Sequence, residues 1–300
     1  VMYFISKINY QRFRWMSVGV LAVSILLLVA VLIPGIHTER DDGVRRWIAV
    51  PGIGTFQPSE IAKVGVIMYF SARLSKRGSE KPPRISRRSR WKGPYYLLKH
   101  AGFFELVPYG AILLVIVLLM RLEPHMSGTI LILAGAAAVL FAAGIHMGWF
   151  VAGGGLLLIL LLGMMAGYQS TRILVWRDPW DYYATGESYQ IIQSLYTIGS
   201  GGLLGVGLGK GRQKFLFLPE PENDFIFPVI CEELGLVGAC VILFLFALLV
   251  LRGYWIAIHA RDRFGALLTV GVTTLLAVQV VLNVAVVTNL LPTTGISLPF

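Results

Sequence analysis

Asp224 is the residue of this sequence best suited to acid–base chemistry. It lies in the string Pro-Glu-Asn-Asp-Phe-Ile-Phe, close to Glu220 and Glu222, and an apolar stretch of helical length follows at once. Burial disfavours the charged form of a carboxyl group, so a carboxylate at the edge of a low-dielectric region is expected to have a raised pKa, which suits a general base. The alternative is that Asp224 only caps the N-terminus of the following helix.

A glycine-rich string, SYQIIQSLYTIGSGGLLGVGLGKGRQK, precedes Asp224. It has neither the GxxxxGK[ST] spacing of a phosphate-binding loop nor a GxGxxG motif after a strand. Glycine permits close approach of another group to the backbone, and it also permits tight turns, so both interpretations stay open. Arg212 and Lys214 suit a polyanion such as pyrophosphate, with solvated loop charges as the alternative. The glycines are Gly199, Gly201, Gly202, Gly205, Gly207, Gly209 and Gly211.

A second candidate site lies in the string Phe-Gln-Pro-Ser-Glu-Ile-Ala-Lys. Glu60 and Lys63 are three residues apart and therefore share one face of a helix. They predict either an ion pair that lines a polar cavity or a pair that only lowers the cost of membrane insertion, which is about 2.5–3.5 kcal/mol for a central charge. Gln57 stands just before the expected helix start, where it could bind substrate or only cap the helix.

Other reactive side chains give weaker signals. Glu232 and Glu233 lie one turn or more deeper than Asp224 and could line a cavity. His125, in a short turn, is expected to be structural. Cys231 and Cys240 form neither a disulfide framework nor a metal-ligand spacing.

The composition indicates the elements that must position these residues. Of 300 residues, 56% are hydrophobic and only 14% are charged, and the mean hydropathy is +0.72. A water-soluble surface needs about 25% charged residues, which excludes soluble dinucleotide-binding enzymes and disulfide-rich secreted domains. The sequence predicts an all-α, polytopic membrane protein, because lipid offers no partners to unpaired backbone groups. The seven apolar segments are 15–34, 58–73, 105–121, 127–145, 148–167, 227–251 and 264–291.

The lysines and arginines orient these segments. If the chain alternates sides, one side carries 16 basic residues and the other carries 9, so the first is predicted to be cytoplasmic. This topology explains the net charge of +10 without a nucleic-acid partner. It makes residues 74–104 a basic cytoplasmic linker and residues 168–226 a large extracytoplasmic loop that carries the site. Both ends of the chain are expected to lack a further span.

Four strings resemble the SEDS family (shape, elongation, division and sporulation) over residues 1–300: RRWI…FQPSEIAK, YQIIQSLYTIGSGGLLGVGLG…RQK, LPEPENDFIF…EELG and LLPTTGISLPF. The chain is more similar to the division branch of the family than to the elongation branch. The resemblance implies a single membrane domain with about seven to eight of the family's ten spans and a fold similar to GT-C glycosyltransferases. The family's essential aspartate, in a His-Thr-Asp-Phe string, corresponds to Asp224. At the family's Pro-Asp-Leu-Gly string this chain has Pro124-His125-Met126-Ser127, so no carboxylate role transfers there.

The resemblance also implies a reaction. The family polymerises peptidoglycan glycan strands from lipid II at the outer face of the bacterial cytoplasmic membrane. It works with a class B penicillin-binding protein, among other divisome or elongasome membrane proteins. Asp224 would be the general base of an inverting glycosyl transfer, with undecaprenyl pyrophosphate as leaving group. The candidate substrate-binding residues are Glu60, Lys63, Gln57, Arg212, Lys214 and Glu220.

Three further interpretations of function accompany this one. A lipid II flippase would also need a polar groove, although its polar residues should run through the whole membrane. A non-catalytic divisome scaffold would need no base at Asp224. A retinal-type pump is excluded because residues 264–291 contain no lysine. A divalent cation, Mg²⁺ or Mn²⁺, is consistent with the family, but the sequence offers no dedicated metal site.

Overall fold

The chain is mainly helical. The computed structural model describes residues 3, 7–33, 46–50, 54–77, 103–123, 125–145, 148–151, 153–155, 170–183, 185–186, 188–219 and 223–299. In that part of the chain the main elements are α1 (Gln11–Val31), β1 (Ile48–Val50), β2 (Gly54–Phe56), α2 (Pro58–Arg77), α3 (Phe103–Leu122), α4 (Met126–Ala142), α5 (Ser170–Arg177), α6 (Tyr189–Ser200), α7 (Gln213–Leu216), α8 (Ile226–Ile258) and α9 (Arg263–Val287).

Six of the seven predicted apolar segments coincide with long helices, namely α1, α2, α3, α4, α8 and α9. Of the seventh, 148–167, only residues 148–151 and 153–155 are described, and they are helical. Most of the predicted linker, residues 78–102, lies outside the described residues, as does Glu220. The predicted loop 168–226 contains α5, α6 and α7. Helix α6 forms there because one of its faces is buried, through Ile191, Ile192, Gln193, Ser194 and Thr197.

The chain divides into two compact units that interleave in sequence. The first comprises Val1–Phe150 and Gly253–Leu275, and the second comprises Val151–Arg252 and Leu276–Phe300. In the first unit α2 packs against both α1 and α4, and α3 packs against α4. Small residues permit close packing against α2: a β-carbon on Gly65 of α2 would stand 3.3 Å from Ser24 Oγ of α1, and one on Gly271 of α9 would stand 2.5 Å from Ile67 of α2. Strands β1 and β2 form an antiparallel hairpin with Ile48 opposite Phe56.

The second unit surrounds its own hydrophobic core. Its buried members come from the segment before α8, from α8 itself and from the end of α9: Leu218, Phe225, Phe227, Val229, Cys231, Ala239 and Val287. Polar side chains fasten other elements to the end of α9. Ser194 Oγ on α6 donates to Val287 O at 2.8 Å, and Trp176 Nε1 on α5 donates to Asn289 O at 3.1 Å. Helices α5 and α6, which precede α8 in the sequence, are therefore held against the end of α9 within this unit.

The described helices have the surfaces of a membrane protein. Helices α1, α8 and α9 are long and apolar enough to cross a bilayer, and the stretches Leu106–Leu122 and Met126–Ala142 are shorter apolar helices. Large apolar side chains on α8 are exposed, among them Phe244, Leu245 and Leu249. An outward-facing apolar surface on so long a helix requires lipid in place of water. The chain is a multi-pass membrane protein.

Candidate active site

A break in α8 organises the second unit. Gly235 has φ 68° and ψ −173°, which interrupts the helix and leaves backbone groups on both sides without helical partners. The glycine-rich segment after α6 supplies the partners. Val206 N donates to Glu232 O at 2.9 Å and Gly207 N to Glu233 O at 3.0 Å, while Leu236 N donates to Gly202 O at 2.9 Å. The glycine-rich segment therefore supplies backbone hydrogen bonds to the residues on both sides of the break.

These contacts explain part of the glycine pattern. The sequence alone allowed two interpretations of it, close approach of another group to the backbone and tight turns. A β-carbon on Gly201 would lie 1.9 Å from Cys231 O, and one on Gly205 would lie 2.2 Å from Glu233 O. Gly202, Gly205, Gly207 and Gly209 have positive φ angles, so Gly205 meets both requirements. Close approach and turning thus both occur, and the close approach is to the protein's own helix.

The two acids next to the break bind this segment. Glu232 Oε1 accepts from Arg212 N at 3.0 Å. Glu233 Oε2 accepts from Gly209 N at 2.9 Å, and Glu233 Oε1 pairs with Lys214 Nζ at 2.7 Å. Lys214, a sequence candidate for anion binding, thus has a carboxylate partner 19 residues away, whereas Arg212 is exposed.

An open cavity of about 480 Å³ adjoins this ion pair. Lys214 and Glu233 provide its charged wall, so the prediction that Glu233 lines a cavity is confirmed, whereas Glu232 is not among the lining residues. The other lining side chains are apolar: Leu208, Phe215, Ile226, Val229, Ile230 and Leu234. An apolar cavity with one charged wall suits a ligand that has both a hydrocarbon part and a polar part.

Asp224 lies in the turn of residues 223–225, directly before α8, and is half-buried. The turn is held from α9, where Asn283 Nδ2 donates to Asp224 O at 2.8 Å. The carboxylate faces the segment that follows α9, because a β-carbon on Gly295 would stand 3.1 Å from Asp224 Oδ2. The position at the edge of an apolar helix matches the prediction, while the contacts of Asn283 and Gly295 were not predicted. The sequence did offer one signal for Asn283, namely an amide side chain within an apolar segment, where polar groups are expensive.

The second predicted cluster belongs to the first unit. Helix α2 begins at Pro58 as expected, and Lys63 Nζ pairs with Glu60 Oε2 at 2.7 Å. The Lys63 side chain is 6% exposed and that of Glu60 is 58% exposed, so the ammonium is buried and its partner reaches outward. The half-buried Gln57 accepts from Glu60 N at 3.1 Å through its backbone carbonyl, which closes the first turn of the helix.

The turn between α3 and α4 contains two buried titratable groups. His125 Nδ1 accepts from Gly128 N at 2.9 Å and caps α4, so the structural interpretation of His125 is confirmed. Burial lowers the pKa of His125 to about 3, and the Arg46 and Lys63 cations act in the same direction. Burial raises the pKa of the Glu123 carboxyl to about 8, against the opposing effect of Arg46. Neither Glu123 oxygen has a hydrogen-bond partner among the described residues, and no sequence signal pointed to this residue.

The described residues contain no group of three or more His, Cys, Asp or Glu side chains that could hold a metal ion. A divalent cation in the candidate active site would therefore be coordinated by few side chains of the described residues. Mg²⁺ is often bound by one or two carboxylates together with substrate phosphates, which leaves such an ion a proposal.

Comparison with known proteins agrees with this architecture. The chain is 40% identical over 297 residues to a probable peptidoglycan glycosyltransferase FtsW from Trichlorobacter lovleyi, covering 98% of this chain and 72% of that protein. It is 40% identical over 301 residues to the stage V sporulation protein E of Bacillus subtilis, covering 100% of this chain and 76% of that protein.

Two solved structures are similar at 25% identity. One belongs to a peptidoglycan synthase complex that coordinates polymerization and crosslinking, with a TM-score of 0.76 over 99% of this chain and 77% of that chain. The other is the rod shape determining protein RodA of Thermus thermophilus, with a TM-score of 0.64 over 99% of this chain and 74% of that chain.

The fold and the candidate site thus define a class of polytopic helical membrane proteins with a carboxylate at the start of an apolar helix. A family model described as cell cycle protein, covering FtsW, RodA and SpoVE, matches residues 1–300. The chain belongs to this family.

Proposed function

We propose that this protein is a peptidoglycan glycosyltransferase that polymerises glycan strands from lipid II. The observation that carries the proposal is the placement of Asp224, in a turn that α9 anchors at the start of an apolar helix. Relatives at 40% identity are named as such enzymes or as a sporulation protein, which supports the reaction class. The active site would lie on the extracytoplasmic face, a side supported by the lysine and arginine distribution.

Asp224 would act as the general base of an inverting transfer. Its carboxylate would accept the proton of the sugar 4-hydroxyl of an acceptor lipid II. That oxygen would bond to the anomeric carbon of the growing strand as the bond to undecaprenyl pyrophosphate breaks. A positioned base contributes about 10²- to 10⁴-fold to the rate. Holding two lipid-anchored substrates in one place supplies a further part through proximity.

The cations are proposed to stabilise the pyrophosphate leaving group. Lys214 and Lys63 each pair with a carboxylate, Glu233 and Glu60 respectively. These pairs carry no net charge, so the exposed Arg212 is the strongest single candidate. Lys63 would act with Glu60 as a hydrogen-bonding pair, and Gln57 and Glu220 remain proposed substrate-binding residues.

A partner is also proposed. A likeness to a chain from a synthase complex that coordinates polymerization with crosslinking supports a class B penicillin-binding protein as the crosslinking partner. The exposed apolar side chains of α8, such as Phe244 and Leu245, offer such a partner a lipid-embedded contact. Co-purification of the two proteins in detergent, carried out with the wild type and with Asp224→Asn, would test the association independently of the reaction.

The reaction itself is tested with the intact protein, purified with that partner and incubated with labelled lipid II. Gel separation of the products compares the wild type with Asp224→Asn and with Asp181→Asn, which alters an exposed aspartate of the same unit. We expect a ladder of strands from the wild type and from Asp181→Asn and none from Asp224→Asn, with folding and partner binding retained. Undiminished strand synthesis by Asp224→Asn would exclude the base assignment.

The same preparation distinguishes the transport alternative. If no variant makes strands, but lipid II in liposomes becomes accessible on the opposite leaflet when the protein is present, the function is that of a flippase. If neither activity appears and only partner binding is found, the protein is a scaffold.

A further inference from the structure

We infer that Asn283 is a positioning residue for the reaction, one that acts through Asp224 by fixing the turn that carries it. The inference rests on the proposed function, since it concerns the same site. Asn283 lies within α9, an apolar helix of 25 residues, and is 1% exposed. A buried amide without hydrogen bonds is costly; the nitrogen of Asn283 is bonded, whereas its Oδ1 atom has no hydrogen-bond partner among the described residues.

The amide of Asn283 joins two segments that flank the candidate base. Its Nδ2 atom donates to Asp224 O at 2.8 Å and to Ile296 O at 2.6 Å. An amide nitrogen has two hydrogens, so both are accounted for by these two carbonyls. The turn before α8 and the segment after α9, which are distant in sequence, are thereby held to one atom.

The second of these segments reaches the carboxylate itself. Gly295 precedes Ile296, and a β-carbon on Gly295 would stand 3.1 Å from Asp224 Oδ2. Asn283 therefore fixes the backbone carbonyl of Asp224 and that of Ile296, which directly follows the glycine beside the carboxylate. Few other side chains could do both, because the task requires two donors on one short, buried group.

A general base must stand within hydrogen-bonding distance of the proton that it accepts. Displacement of a catalytic group by about 1 Å can cost about 100-fold in rate. Loss of the Asn283 amide should accordingly lower kcat while leaving substrate binding, which the rest of the site provides, nearly unchanged.

Gln279 provides a matched control on the same helix. Its Nε2 atom donates to Ser297 O at 2.9 Å, so it fastens the same segment after α9 but has no such bond to Asp224. A residue that merely holds this segment would behave like Gln279, whereas a positioning residue would not.

The test compares Asn283→Leu, Asn283→Ser and Gln279→Ala in the intact protein with its partner. Steady-state kinetics with lipid II give kcat and KM. In parallel, carbodiimide coupling of an amine to carboxyl groups, followed by mass spectrometry, gives the labelling rate of Asp224 relative to the exposed Asp181. Asn283→Leu keeps the branching at Cγ, although the side chain is larger, and removes both donors. Asn283→Ser is the milder change, for use if the leucine variant does not fold.

We expect kcat to fall about 10- to 100-fold in Asn283→Leu and less in Asn283→Ser, with KM within about 3-fold of the wild type. The labelling ratio should change about 3-fold or more, and Gln279→Ala should resemble the wild type in both measurements. A wild-type kcat and labelling ratio in a folded Asn283 variant would overturn the inference, as would equal losses in Gln279→Ala. If the wild type makes no strands, the proposed function fails, and the labelling ratio still decides whether Asn283 positions Asp224.

Discussion

The backbones of Gly205 and Gly235 lie in direct contact: a β-carbon on Gly235 would stand 2.3 Å from the amide nitrogen of Gly205, and 2.5 Å from the carbonyl oxygen of Leu203. The contact joins the glycine-rich segment to the break in α8. Because Gly235 also has φ 68°, a side chain there would meet both steric overlap and a disfavoured backbone conformation.

Substitution of either glycine should therefore disrupt the second unit. We expect Gly235→Ala and Gly205→Ala to lower the free energy of unfolding by about 2 kcal/mol or more, since backbone strain of this kind costs about 1–3 kcal/mol per residue. Thermal unfolding in detergent measures this. Gly199→Ala is the control, because a β-carbon there meets nothing within 4 Å and alanine favours a helix. Equal melting temperatures for all three variants would contradict the account of the break.

Gly295→Ala should separate activity from stability. The added β-carbon would stand 3.1 Å from Asp224 Oδ2, so the carboxylate must shift by a few tenths of an ångström. We expect strand synthesis to fall about 10-fold or more, while the melting temperature changes little because Gly295 is exposed. The control is Ser297→Ala, an exposed position two residues on. Full activity of Gly295→Ala would show that the carboxylate has room to spare.

The two residues of the Lys214–Glu233 ion pair should contribute unequally to the free energy of unfolding. Glu233 accepts from both Lys214 Nζ and Gly209 N, so Glu233→Ala leaves two donors without an acceptor, whereas Lys214→Met leaves one oxygen without a partner. We expect Glu233→Ala to cost about 1–2 kcal/mol of unfolding free energy and Lys214→Met about 0.5–1 kcal/mol, because water can reach the donors that are left. Chemical denaturation of both variants checks the order, with the exposed Lys210→Met as control. A larger loss in Lys214→Met than in Glu233→Ala would refute it.

Glu123 should make stability depend on pH. Burial raises its pKa from 4.5 to about 8, so between these values the folded protein retains a proton that the unfolded chain releases. Stability should then fall as the pH rises through this window. Glu123→Gln, which cannot ionise, should flatten the fall in melting temperature between about pH 5 and 8. Asp178→Asn, an exposed change, should leave the slope as in the wild type, and an unaltered slope in Glu123→Gln would show that Glu123 is ionised throughout.

Much of the fold follows from the sequence because apolar length is a local property. The stretches that became α1, α3, α4, α8 and α9 are visible without any knowledge of their neighbours, and Pro58 marks the start of α2. The helices within residues 168–226 were not predicted. Helix α6 is amphipathic and buries one face against other elements, which a search for long apolar runs does not detect.

For the candidate site, the sequence predicts the reactive side chains but not the contacts that position them. Asp224 and the Glu60–Lys63 pair stand out because charge near an apolar segment is expensive. The contacts that define their geometry join residues far apart in sequence, such as Asn283 with Asp224 and Gly205 with Gly235. Lys214 illustrates the difference: its type suggested an anionic ligand, but its partner Glu233 depends on how the glycine-rich segment folds onto α8.

The break at Gly235 also has a consequence for biosynthesis. Beyond it, Leu236–Ile258 is a continuous helical run of about 23 residues without a single acid, about 34 Å long and enough to cross a bilayer unaided. The translocation machinery can therefore accept this run as a complete span. Glu232 and Glu233 precede this run, so its insertion does not require either carboxylate to enter the hydrocarbon, where a charge is costly.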